Sequence, residues 1–183
     1  MKECTMKTWM TALSLIFCPI TFLYLVIYPL IVSESQNVVW AAFVAMPIYF
    51  IVGAKKEDFH RFFYSMFAGF FWAHMFLRGG GWVSNLLGWN VSPSMTSNLW
   101  ILVVCAPFLL MHLVWVANST WLNVCPMMFG TVASSFATGG QRPFGLATAL
   151  TLGMLVALVS VQLTNAVVGK PTLAQPAEKK EAA

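Results

Sequence analysis

The sequence predicts an all-α, polytopic membrane protein: a bundle of six transmembrane helices with both chain ends on the cytoplasmic side of a bacterial inner membrane. Three observations lead there. Of 183 residues, 59% are hydrophobic and 9% charged, against roughly 25% charged in soluble domains. So few charges cannot cover a water-facing surface, which makes lipid the solvent for most of the outside. The apolar residues come in long runs, without the alternation that a membrane barrel requires. The basic residues, finally, fall mainly on one side of those runs.

The first run, Trp9 to Val32, follows Lys2 and Lys7 and so resembles a secretory signal at its start. It is longer than the roughly 7 to 15 apolar residues of a signal core, so a retained helix is expected. The second, Val38 to Gly53, ends in the charged turn Gly-Ala-Lys-Lys-Glu-Asp-Phe-His-Arg, which leads into the third, Arg61 to Leu77. The fourth is Leu99 to Ala117, the fifth Leu122 to Thr138, and the sixth Phe144 to Val168. A hydrocarbon core about 30 Å thick needs about 20 helical residues and about 17 at the least. The second, third and fifth runs are therefore expected to be short, tilted or broken. Residues 1–168 make one transmembrane domain, and 169–183, rich in Ala, Pro, Glu and Lys, a disordered cytoplasmic tail.

Charge sets the orientation. With the N-terminus inside, Lys2, Lys7, Lys55, Lys56, Arg61, Lys170, Lys179 and Lys180 are cytoplasmic, and only Arg78 and Arg142 of the ten basic residues lie outside. That is the asymmetry of the positive-inside rule, and it favours a full crossing by the fifth run over a re-entrant loop. Between the third and fourth runs, Arg78 to Asn98 opens with Gly79, Gly80 and Gly81 and carries Trp82, Leu86, Leu87 and Trp89. It reads as a short amphipathic helix anchored on the outer face.

Phe50, Gly53, Phe59 and Gly69 match Phe136, Gly139, Phe144 and Gly153 with spacings that differ by no more than one residue. On that register helices one to three repeat as helices four to six. Three spans reverse direction, which makes the plan a 3+3 inverted repeat. A rival register sets Trp40 and Pro47 against Trp100 and Pro107 and pairs the second helix with the fourth.

Candidate site residues gather in the stretch from Trp121 to Gly140. Gly130, Ala133, Ser134 and Ala137 suit close helix packing. The same stretch read as a path has Thr131, Ser134 and Ser135 offering hydrogen bonds to a solute and Phe129 and Phe136 narrowing the way. His74 and His112 lie within spans at different depths, each a packing residue or a solute contact, with Trp72 and Trp115 near them in sequence. All six carboxylates, Glu3, Glu34, Glu57, Asp58, Glu178 and Glu181, fall in expected loops or ends. Ion-coupled carriers place carboxylates at membrane depth, so passive permeation is the expectation. Cys4, Cys18, Cys105 and Cys125 lack metal-site spacing and read as small apolar residues. No catalytic residue, metal or cofactor is implied, and the basic excess reports topology and not nucleic acid.

Trp40 with Phe43, the Gly53 turn with its lysines, the Gly69 to Trp72 segment and the Pro-x-x-Phe-Gly-x-x-x-x-x-Phe-Ala-x-Gly pattern from Pro126 to Gly139 together resemble the YcdZ-like family of small bacterial inner-membrane proteins. The family has no established activity, so the resemblance implies a compact membrane protein and no site residue. The expectation is a homo-oligomeric channel or facilitator for a small neutral or weakly basic solute such as urea, ammonia, an amine or a short alcohol. The alternative is a structural or accessory subunit of a larger membrane complex, its aromatic residues serving as contact surface.

Overall fold

The computed structural model describes residues 3–88, 99–116 and 121–171. The fold is all-α, and the six apolar runs each form helix. Helix α1 spans Met6–Ile31, capped by Thr5, whose hydroxyl accepts from the Thr8 N–H. After single 3-10 turns at Glu34–Gln36 and Val39–Ala41 comes α2, Ala42–Ile51. Helix α3 runs Phe59–Leu87. Helix α4, Ala106–Met111, is flanked by π-helical turns at Ile101–Cys105 and His112–Val116. Helices α5, Cys125–Ala137, and α6, Pro143–Val168, complete the bundle. Of these, α1 and α6 are each long and apolar enough to cross a membrane. Glu3–Cys4 pairs in parallel with Lys170–Pro171, so the two ends of the bundle's chain meet. The remainder of the expected tail, 172–183, lies outside the described residues.

One boundary differs from expectation. Arg78 does not open a separate surface helix, because α3 continues through Gly79, Gly80 and Gly81 to Leu87 and stops at Gly88, which is left-handed at φ 62°. Glycine weakens a helix interior, but here packing compensates. The Trp100 indole lies where a β-carbon on Gly79 would be, and its Nε1–H donates to the Met75 carbonyl at 2.8 Å. The rest of the expected surface segment, 89–98, is outside the described residues.

Helix α6 is the axis. It is apolar on every side, with one face buried against α1 and α2, which pack along it, and Leu155, Val159, Leu163 and Val167 exposed on another, while α3 packs along α5. The fully buried core is Tyr28, Met46, Tyr49, Met66, Met127, Leu146, Leu150 and Met154. Tyr28 shows how polar groups are accommodated there. Its hydroxyl accepts from the Val38 N–H at 3.3 Å and faces the Gly145 carbonyl at 3.1 Å, joining α1, the loop before α2, and α6.

Two hairpins share one turn geometry. After α2, the N–H groups of Gly53 and Ala54 donate to Phe50 and Tyr49 at 2.8 and 3.0 Å; after α5, those of Gly139 and Gly140 donate to Phe136 and Ser135 at 2.9 and 2.8 Å. All four turn residues have positive φ, 82° and 43° in the first pair and 62° and 73° in the second. Phe59 starts α3 just as Phe144 falls at the start of α6. The packing also matches. A β-carbon on Gly69 of α3 would lie 2.5 Å from the Met128 carbonyl oxygen of α5, and one on Gly153 of α6 would lie 2.6 Å from that of Ala42 in α2. The first turn leads into α3, whereas Gly140 of the second lies against Leu77 near the far part of α3. The hairpins therefore point in opposite directions. Trp40 and Trp100 occupy unlike settings, the former 40% exposed at a turn and the latter seated on Gly79.

Helix α5 has only 13 residues, about 20 Å at 1.5 Å per residue, but its lead-in extends the pass. The Trp121 ring lies 6.3 Å from that of His60 and 5.2 Å from that of Tyr64, and the Val124 N–H donates to the Ser65 hydroxyl at 3.2 Å. Residues 121–140 thus run beside α3 from His60 to Leu77, about 26 Å of helix.

Because both glycines abut backbone, which cannot rotate away as a side chain can, Gly69→Ala and Gly153→Ala are each expected to destabilise the fold by ~1–3 kcal/mol. Thermal unfolding in detergent measures this, with Gly81→Ala, where a β-carbon meets open space, as the control that leaves the midpoint in place.

Candidate functional site

Two cavities lie along α3, one between it and the start of α6, the other between its first turn, the end of α2 and the lead-in to α5. The first, about 300 Å³, lies under the second turn and is walled by Phe67, Phe70, Leu77 and Leu146, with His74, Arg78, Ser135 and Gln141 as its polar groups. The second, about 280 Å³, lies by the first turn among Ile48, Phe62, Val124 and Pro126, with Asp58, Arg61 and Asn123. There the Arg61 guanidinium pairs with the Asp58 carboxylate at 3.1 Å and donates to the Asn123 side-chain oxygen at 3.1 Å. Along α3, the buried Met66 falls between the stretches that line the two cavities, and on the α5 side Met127 and Thr131 are fully buried, with Gly69 closing on Thr131. Neither cavity has a carboxylate apart from the paired Asp58.

Helix α5 turns its hydroxyl stripe inward. Thr131, Ser134 and Ser135 are buried, and each donates to a carbonyl one turn back, Met127, Gly130 and Thr131, at 2.9, 2.8 and 2.8 Å. Their hydrogens are committed to the helix, and Thr131 itself is the packing partner of Gly69. Only Ser135 also reaches a cavity. Phe129 and Phe136 lie on the outward side at 44% and 43% exposure.

The two histidines are placed on different sides of α3. His74 is exposed, lines the first cavity and has the Trp82 ring 5.6 Å away. His112 is buried with its ring 6.0 Å from that of Trp72, the planes at 89°. Trp72 continues through Phe76, 6.1 Å away, to Phe136, a further 6.2 Å. The aromatic partners thus differ from those nearest in sequence. The eight expected residues divide into His74 with Ser135 at the first cavity, Trp72, His112 and Phe136 around the α3–α4 cluster, Thr131 and Ser134 in helix packing, and Phe129 apart on the surface.

Arg78, Gln141, Arg61 and Asn123 were not singled out from the sequence as site residues. For Arg78 the signal was present: it stands four residues after His74, one turn along the same helical face, once α3 is continued past Leu77. Asn123 and Gln141 carry no such mark. Among the described residues, no group of three His, Cys, Asp or Glu side chains could hold a metal ion, and the four cysteines are free.

Since the Thr131 hydroxyl bonds only its own helix, Thr131→Val, which keeps the branched shape, is expected to change stability by less than ~1 kcal/mol. Thr131→Leu, pressing on Gly69, is expected to cost more. Parallel unfolding curves of the two variants separate a packing role from a hydrogen-bonding one.

Comparison with curated proteins and with solved structures gives no match. A family model described as "Protein of unknown function (DUF1097)" matches residues 12–165, which takes in the helices of the described residues apart from the start of α1 and the end of α6. The chain belongs to that family.

Proposed function

We propose that this protein is a facilitator for a small uncharged solute, a YcdZ-like protein of the bacterial inner membrane that crosses the bilayer six times as a 3+3 inverted repeat, with both termini cytoplasmic and the chain assembled as a homo-oligomer. The observation that carries the reading is a pair of polar-lined cavities toward the two turns, with buried Met66 of α3 between the stretches of that helix that line them. A path joining them opens once that plug repacks. Methionine suits the plug because its unbranched side chain repacks at low cost.

The opposed hairpins support the inverted repeat, a plan on which many solute carriers and channels are built. The positions of charge support the topology. Lys55, Lys56 and Arg61 stand at the first-turn end of the bundle, where α6 also finishes and Lys170 joins the N-terminal strand, while Arg78 and Arg142 stand at the other. Cytoplasmic basic residues are the rule in inner-membrane proteins.

Arg78 narrows the solute class. A guanidinium in the lining of a cavity with no carboxylate repels cations, so urea, a short alcohol or ammonia as the neutral molecule fits better than an alkylammonium ion. A second reading, an accessory subunit, is favoured by α1, whose most apolar stretch is only 6% buried and so leaves a long face for lipid or a partner.

Stopped-flow light scattering on proteoliposomes tests the proposal, with urea, glycerol, methylamine and ammonium salts set against protein-free vesicles. At least one uncharged solute is expected to equilibrate severalfold faster with protein present, and Met66→Ala to raise that rate further. Folded, oligomeric protein that accelerates none of them sinks the facilitator reading and favours the accessory one. Flux raised by Met66→Ala but equally in Phe129→Ala and Phe136→Ala would move the path from these cavities to an interface between copies.

A further inference from the structure

On the side of α3 away from the first cavity, two polar atoms are buried without a partner. The Trp72 Nε1–H and the His112 Nε2 have no hydrogen-bond partner, although their residues are only 7% and 8% exposed. A buried N–H or ring nitrogen left unpaired is costly, and native proteins pair such groups or place a small molecule on them. These two are not scattered. Their rings meet edge to face with centroids 6.0 Å apart.

The surrounding side chains offer no substitute. Phe76, Cys105 and Met128 complete the buried cluster, with Leu109, Leu113 and Val132 packed on it. Sulfur is a weak acceptor, and the other indole nearby, that of Trp100, already donates to Met75. Trp72 can only donate, and neutral His112 can accept at Nε2, yet the two do not bond each other. A single molecule able both to accept from the indole and to bond the imidazole satisfies both. The described residues packed around the pair are apolar, so an ion there would be left without compensation. His112 also opens a π-helical turn, a local widening concentrated at functional sites.

We propose that Trp72 and His112 form a buried two-point site for one small neutral molecule that both accepts and donates hydrogen bonds, of which ammonia and water are the smallest members. Trp72 and His74 are two residues apart, about 200° around the helix, so this site is separate from the first cavity. It stands whether or not the protein conducts solute, and failure of the flux assay does not touch it.

The test uses the full chain in lipid nanodiscs. Ultraviolet resonance Raman of the tryptophan N–H, taken as wild type minus Trp72→Phe, is expected to report a hydrogen-bonded indole that becomes free in His112→Phe. An indole that is already free in wild type, in plain buffer and in ammonia alike, overturns the site. So does one that stays hydrogen-bonded in His112→Phe, because the two residues then hold no shared guest. Nitrogen NMR of His112 in the wild-type protein needs no folded variant: a hydrogen-bonded Nε2 is expected, and a free one overturns the proposal. A shift of that resonance on adding ammonia, with the pH held, assigns the site to ammonia; an unshifted, hydrogen-bonded resonance assigns it to water.

Discussion

At Gly69 and at Gly153 one helix lies against the carbonyl of another with no room for a β-carbon. Helices that approach this closely gain contact area along their backbones, and that packing is what holds each pair. These two contacts set the spacing of α3 on α5 and of α6 on α2, and most else follows from that spacing. Met66, Met127, Leu150 and Met154 are fully buried between the pairs, and two polar-lined cavities lie toward the two turns. The hydroxyls of α5 are explained by the same contacts. A helix pressed this closely to its neighbour must satisfy its side-chain donors by itself, and Thr131, Ser134 and Ser135 do so one turn back.

The all-α fold, the turns and the glycine contacts were legible because each rests on a local rule: apolar runs of helical length, positive-φ residues at a reversal, and small residues at close contacts. The pairing of Gly69 with Gly153 was visible as spacing, and the structure gives it a physical meaning, since each abuts the backbone carbonyl of a neighbouring helix. The far half of α3 was hidden because three consecutive glycines argue locally against helix, and the indole that fits over Gly79 comes from Trp100, in a different run. The site was less readable than the fold. Which aromatic ring faces which histidine depends on the rotation of α4 against α3, a tertiary quantity, and so Trp72 meets His112 instead of His74. Hydroxyls in α5 were a sound signal of small, close-packed residues, but whether a hydroxyl hydrogen bonds a solute or its own helix is decided by the neighbour it packs against.

The polar groups that remain are few and sorted by position. By the first turn Arg61 bonds both Asp58 and Asn123, while Arg78 and His74 line the cavity under the second turn. A paired end and an end with no carboxylate give the two cavities different electrostatic characters. Trp72 and His112 lie apart from the cavity under the second turn, in a cluster otherwise apolar, and with the Thr21 hydroxyl they carry buried polar atoms left without a partner.

The strand that joins Glu3–Cys4 to Lys170–Pro171, reinforced by the Trp9 indole donating to Asn165 at 2.9 Å, bears on how the bundle opens. The main partner of α1 is α6, and the two are separated in sequence by every other helix described. Their contact therefore closes the longest loop in the described bundle, and the entropy of that closure is opposed at one place, the clasp. Loss of the clasp frees α1 while the contacts of α2, α3 and α5 remain, so the bundle opens first where its two ends meet.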